Sequence, residues 1–213
     1  MDELVEKGGI TPKQKLKVLE ELTEVAEIAH LKRGKYLGQV LENVDFEKIR
    51  NFLKKYKVDL QIGKSKGLFK VEGYFYKSGK TVRLKPNEAA LFITDGNTMK
   101  LVLRKNATIY ELLHELMHFR HSQEIGLKAY YNMIKNEGIV RTERFVYDKI
   151  IEYKKHLNRK ELEHANRYMN WNYNEFRITD NIGNPIKVEL PFELKQLPNK
   201  RQGININRIL ELK

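Results

Sequence analysis

Thr108-Ile-Tyr-Glu111-Leu-Leu-His114-Glu115-Leu-Met-His118-Phe-Arg-His121 is the stretch that decides how the rest of the chain is read. Thr108 followed three residues later by Glu111 is a capping box. Ile109, Leu112, Leu113, Leu116 and Phe119 recur at helical spacing, so a helix starts just ahead of an H-E-x-x-H sequence. Four residues apart on that helix, His114 and His118 project from one face, where two imidazole nitrogens can reach one tetrahedral Zn²⁺ at about 2.0–2.1 Å. Glu115 lies on the flank of that face, placed to touch a water beside the metal instead of the metal itself. The plainer alternative is an amphipathic helix whose polar side happens to carry these three residues. Correct capping and a sheet-like stretch before the helix disfavour it.

A catalytic zinc usually has three protein ligands, and the third has to be sought elsewhere. His121 continues the face but lies two turns from His114, about 10 Å along the axis, too far to share an ion on a straight helix. Glu124 falls where a metzincin would place its last ligand, yet His121 occupies the position at which that pattern needs glycine to turn the chain. Glu143 is better placed. It sits on a later helical segment that can return beside the first, and it shares a face with Tyr147 and Ile150, so an inward carboxylate in need of a partner is expected there. Asp148, a lesser candidate, lies well round the helix and is set to pair with Arg144, or to orient a ligand histidine.

Asn158 and Glu161 form a second capping box, and the helix they start carries His164 on the same side as Tyr168 and Trp171. His164, or a tyrosine such as Tyr147 or Tyr168, is a candidate donor to the oxyanion that develops when water attacks a carbonyl.

Outward from this region, residues 60–103 hold short, alternating, aromatic-rich runs at 69–76, 81–84, 89–94 and 100–103. They are separated by Ser78-Gly79 and Asp95-Gly96-Asn97 turn signals. The pattern predicts a mostly antiparallel sheet of three to five strands, whose edge an extended peptide could join. Further helices are predicted over 12–31, over 45–56 with Asp45 as N-cap, and over 108–122, 123–136, 141–155 and 160–171. A strand pair, 176–179 with 186–190, and an irregular tail follow. The fold class is therefore α+β: a small sheet packed on the H-E-x-x-H helix and on further C-terminal helices. Residues 1–60 are expected to be a helical segment, linker or subdomain, with the main domain spanning 61–213.

Among the 213 residues there is no cysteine, which excludes disulfides and Cys-based zinc sites and leaves imidazoles and carboxylates as metal ligands. No apolar run approaches the ~20 residues of a membrane-spanning helix, and the acidic opening Met-Asp-Glu-Leu-Val-Glu lacks the apolar core of a signal peptide. With 40 Lys+Arg against 28 Asp+Glu the formal charge is +12. Such a charge attracts polyanions, but the basic residues are spread along the chain, which argues for an acidic protein partner over nucleic acid.

Three blocks in order, His114-Glu-Leu-Met-His118, Glu143-Arg-Phe-Val-Tyr-Asp148 and Glu161-Leu-Glu-His-Ala-Asn-Arg-Tyr168, resemble the zincin-like metallopeptidase toxin domains at the C-termini of polymorphic bacterial toxins. The likeness covers about residues 105–173. It implies a zinc-dependent peptidase with Glu143 as third ligand, delivery by a bacterial secretion system into a competing cell, and a cognate immunity protein in the producer.

The expected chemistry is metal-assisted hydrolysis of peptide bonds in a protein or peptide substrate, with Glu115 as general base. Two rivals stay open at the level of sequence. One is a regulatory or self-processing peptidase acting inside its own cell. The other is a basic nucleic-acid-binding module with a fortuitous H-E-x-x-H.

Overall fold

The molecule is described here by a computed structural model covering residues 39–76, 78–86, 88–189 and 204–211. The helix predicted over 12–31 lies outside these residues. The first described helix, α1 (Asn43–Lys54), turns Phe46, Ile49 and Leu53 inward. Its N-cap is Glu42 and not Asp45: the Asp45 carboxylate sits one turn inside and accepts from the Glu42 amide at 2.9 Å. Just ahead of α1, Leu41 N donates to Ala107 O and Ile109 N to Gln39 O. This segment is thereby pinned to the start of the H-E-x-x-H helix.

Five strands follow: β1 (Val58–Gly63), β2 (Phe69–Phe75), β3 (Thr81–Leu84), β4 (Ala90–Thr94) and β5 (Met99–Arg104). They form two sheets where one was expected. Three strands run in the order β1-β5-β4, with β4 antiparallel and β1 parallel to β5, while β2 and β3 make a separate antiparallel hairpin. The parallel partner β1 left no turn signal because its link to β5 passes through the hairpin and β4.

β5 is covered on both faces, and its side chains alternate accordingly. Leu101 and Leu103 join the main core with Leu112, Leu113 and Leu116, whereas Val102 packs with Val71, Tyr74, Val82 and Leu84 of the hairpin. Of the two cations that flank Val102 on the hairpin side, Lys100 is satisfied by a backbone carbonyl and by the Asp59 carboxylate, 2.9 Å from its ammonium, and Arg104 by backbone carbonyls. Lys100 Nζ donates to Glu72 O, and the fully buried Arg104 donates to the carbonyls of Lys64, Gly67, Leu84, Lys85 and Glu88.

On the other side of the sheet lie α2 (Ile109–Ile125), α3 (Leu127–Glu137), α4 (Val140–Glu152) and, after a turn of 3₁₀ helix, α5 (Arg159–Glu175). Both expected capping boxes are present: Glu111 N bonds Thr108 Oγ1 and Glu161 N bonds Asn158 Oδ1. Gly126 (φ +87°) and Gly138 (φ +82°) separate α2, α3 and α4, adopting a backbone region that side chains disfavour and so reversing the chain within a residue. This reversal sets α4 against α2.

Beyond α5 the expected strand pair reduces to one bridge, Thr179 with Pro185. The reason is local: α5 runs on to Glu175, Arg177 takes a left-handed φ of +51°, and Pro185 has no N–H to extend a ladder. Within the tail read as irregular, Ile206–Glu211 form a short helix, α6, whose Ile206 and Ile209 belong to the main core.

Candidate metal centre

α2 is buried along most of its length, and its mid-section carries His114 and His118 toward the first turn of α4, where Glu143 enters from the opposite side. The two Nε2 atoms are 3.2 Å apart. Glu143 Oε2 lies 3.3 Å from His114 Nε2, and Oε1 lies 3.4 Å from His118 Nε2. All three groups are at least four-fifths buried. Together they form a set of side chains able to hold a metal ion.

The residues fit a tetrahedral cation on two grounds. Their donor–donor spacing matches the edge of a tetrahedron, roughly 3.3 Å for bonds of ~2.0–2.1 Å. Glu143 Oε2 is moreover buried and makes no hydrogen bond, although an imidazole nitrogen stands 3.3 Å away. A carboxylate oxygen in that condition is expensive unless a cation satisfies it.

The electrostatics agree. Burial pushes the Glu143 carboxyl toward its neutral form, but the imidazoles of His118 and His114 outweigh burial and hold it well below the usual carboxylate range. For His114 burial likewise opposes the charge, and the Glu143 carboxylate, with Glu115 and Glu111 behind it, overcomes this and raises its pKa to about 9. The carboxylates gathered around His114 thus favour a positive guest, a proton or a metal ion.

Surrounding groups fix the ligands. Tyr130 on α3 places its hydroxyl 3.0 Å from His118 Nδ1, which turns Nε2 toward the shared point. Tyr168 on α5 donates a long hydrogen bond, 3.5 Å, to Glu143 Oε1, and its ring meets His114 edge-on at 5.4 Å between centroids. Burial above all, with the Glu143 charge adding to it, raises the Tyr168 pKa far above 10, so its hydroxyl keeps its proton.

Glu115 behaves differently from its histidine neighbours. Its side chain leaves the metal-binding face and accepts from the Phe92 amide on the outer edge of β4 at 2.7 Å. Beside it opens a cleft of about 470 Å³ lined by His114, Glu115, Tyr110, His164, Tyr168 and Trp171, with Ala89 and Ala90 where β4 begins.

The remaining candidates are elsewhere. His121 is buried against Phe145, stacked at 3.9 Å, and it is not among the clustered donors. Glu124 is exposed. Asp148 is exposed and paired with Arg144 through both oxygens at 2.9 Å. Tyr147 is one turn from Glu143 yet faces away from the cleft: its hydroxyl accepts from Asn166 Nδ2 at 3.4 Å and it lines a different depression with Arg144 and Val188. His164 does line the cleft, parallel to Tyr168 and edge-on to Tyr110.

Two imidazoles and a carboxylate around one point, with a glutamate next to the first histidine and an open cleft before it, define the class as a metallopeptidase domain on an α+β zincin-like scaffold. The chain belongs to the metallopeptidase toxin 4 family, whose model matches residues 42–175. Neither the curated proteins nor the solved structures searched gave a match.

Proposed function

We propose that this chain is a zinc-dependent metalloendopeptidase toxin, delivered by a bacterial secretion system into a competing cell and neutralised in the producer by an acidic immunity protein. The observation that carries the reading is the convergence of His114 Nε2, His118 Nε2 and Glu143 within 3.2–3.4 Å beside an open cleft. His114, His118 and Glu143 are the metal ligands. Bound there, Zn²⁺ supplies Lewis acidity, which polarises a carbonyl oxygen and lowers the pKa of a water toward ~7.

Glu115 is the general base. Phe92 N–H occupies its Oε2, and Oε1 takes the proton of the attacking water and returns it to the leaving amine nitrogen. Tyr168, kept protonated, exchanges its long bond to Glu143 for the oxyanion, and His164 is the second donor. An extended substrate lies along β4, whose outer edge borders the cleft.

We take the catalytic unit to begin before α1 and not at residue 61, because Leu41, Phe46, Ile49 and Leu53 sit in the same core as α2. Among the described residues no helix is long and apolar enough to cross a membrane.

Purified wild-type protein is expected to hold about one zinc per chain and to cleave proteins of a susceptible cell. Glu115→Gln should keep the zinc, lose cleavage and relieve growth arrest. Full cleavage by that variant would sink the mechanism, and the absence of bound zinc in the wild type would sink the metal assignment.

A further inference from the structure

Three rings of α5 at helical spacing, His164, Tyr168 and Trp171, run along one wall of the cleft. Their planes are close to parallel: 7° between His164 and Tyr168, with centroids 6.2 Å apart, and 23° between Tyr168 and Trp171, at 5.9 Å. Only part of this row is accounted for by the metal centre. His164 and Tyr168 are half-buried, while Trp171 is 53% exposed. A lone exposed tryptophan means little, but one that continues a row of rings out of a cleft is surface that a ligand can cover.

Charge narrows the choice of ligand. Although the whole chain carries +12, the cleft is lined by three carboxylates, Glu88, Glu111 and Glu115, and a single lysine, Lys85. Lys85 is itself engaged with Glu88, whose two oxygens take its backbone N–H at 2.8 Å and its ammonium at 3.7 Å. A polyphosphate strand would meet net repulsion in such a cleft. An uncharged ring meets none, and aromatic faces bind other rings in offset or edge-on geometry beyond what area alone gives.

Position narrows it again. The Tyr168 centroid is 5.4 Å from His114, and Trp171 follows at 5.9 Å. With ~3.3 Å per residue of extended chain, the outer ring is reached within about three residues of a scissile bond held at the metal centre.

We propose that the His164–Tyr168–Trp171 row is a specificity subsite for an aromatic side chain of the substrate, phenylalanine or tyrosine, within three residues of the bond that is cut. The proposal rests on the peptidase reading for its place in catalysis, but not for the existence of the subsite. Trp171 is the chain's sole tryptophan, so its emission reports occupancy without any turnover.

The experiment has two arms. In the first, Glu115→Gln protein is titrated with two blocked tripeptides, acetyl-Gly-Phe-Gly-amide and acetyl-Gly-Leu-Gly-amide, and tryptophan emission is followed. The phenylalanine peptide should give a saturable change with an affinity about five-fold tighter than the leucine peptide. In the second, cleavage sites of wild type and Trp171→Leu are mapped on a mixture of unfolded proteins. The wild type should favour Phe and Tyr within three residues of the cut, and the variant should lose that preference several-fold while continuing to cleave.

Equal response to both peptides, or to neither, overturns the subsite, as does an emission change produced by oligo(dT) and not by the phenylalanine peptide. If the wild type cuts nothing while the phenylalanine peptide still binds selectively, the peptidase reading fails and the aromatic site stands. Cleavage with no ring preference does the reverse.

Discussion

The amide of Phe92 donates to Glu115 Oε2 across 2.7 Å, so strand β4 and helix α2 are joined at the carboxylate that stands between the two histidines in sequence. That single bond lets two substitutions at one position separate chemistry from architecture. In Glu115→Gln the side-chain carbonyl can still accept from Phe92, so the fold and the zinc content should be those of wild type, while cleavage falls by about 10²-fold or more. Glu115→Ala removes the acceptor as well and leaves Phe92 N–H without its partner, which should cost about 1–3 kcal/mol of stability on top of the same loss of activity. Urea unfolding and zinc analysis of the pair check this. Equal stability of the two variants would show that the Phe92 bond contributes nothing.

Tyr130 lies on a different helix from the histidine it touches, and its hydroxyl is 3.0 Å from His118 Nδ1. Burial, reinforced by Glu115 and Glu143, holds the phenol far above its usual pKa, so it remains a neutral partner for the ring. Tyr130→Phe keeps the packing against Phe92 and His121 and removes only the oxygen. Zinc affinity, measured by competition with a chelator, should fall about 10–100-fold, and the folded state should lose no more than ~1.5 kcal/mol. Unchanged affinity would mean that His118 is oriented by packing alone.

Those two contacts also mark where the sequence stops being informative. His114, Glu115 and His118 stand out because their spacing and the Thr108 capping box define one helix face. Glu143 stands out because Tyr147 and Ile150 escort it inward. The Phe92 bond has no such signature, since its donor is a backbone amide that any residue would supply. Tyr130 is one apolar-facing residue of an ordinary amphipathic helix, and its partner is set by the glycine turn at 126. The choice between Tyr147 and Tyr168 turned on the side from which the Glu143 carboxylate is approached. Tyr147 shares Glu143's helix, but the groups that reach the carboxylate come from α2 and α5. Strand β1 has no local signature for a topological reason, because parallel pairing joins residues 41 apart with no turn to announce it.

Arg104 is buried completely at the end of β5 and gathers carbonyls from two loops, at Lys64 and Gly67 and at Lys85 and Glu88, the second of which leads into the cleft wall. A guanidinium is the one side chain with enough donors in a rigid fork to do this. Arg104→Met retains volume but strands several buried carbonyls, so a destabilisation of about 3 kcal/mol or more is expected in urea unfolding. Arg104→Lys should recover only a minor part of that loss, because three donors on a point charge cannot span both loops. Full recovery with lysine would show that charge, not the fork, is what the site requires.

Two buried groups, Glu161 and His121, should oppose each other in the pH dependence of stability. Burial pushes the Glu161 carboxyl up to about 7, against the Asn158 amide that donates to it at 2.7 Å. Burial first, then His118 and Arg141, pulls His121 down to about 4. Between pH 4.5 and 7 the folded chain keeps a proton on Glu161 that the unfolded chain has lost, so this stabilisation is full below the unfolded pKa and fades as pH rises. Between pH 6.5 and 4 the unfolded chain binds a proton on His121 that the folded chain refuses, so this one is full at neutral pH and fades as pH falls. Each is worth up to roughly 3 kcal/mol across its window, and in the wild type they offset over their overlap. Glu161→Gln should therefore expose a steep loss of stability on acidification. His121→Phe, which fits the stack on Phe145, should instead give stability that declines from pH 4.5 to 7. Unfolding free energies in urea at pH 5, 6, 7 and 8, taken as differences from wild type, read both slopes. A Glu161→Gln profile that superimposes on the wild type would show that the carboxyl does not hold its proton.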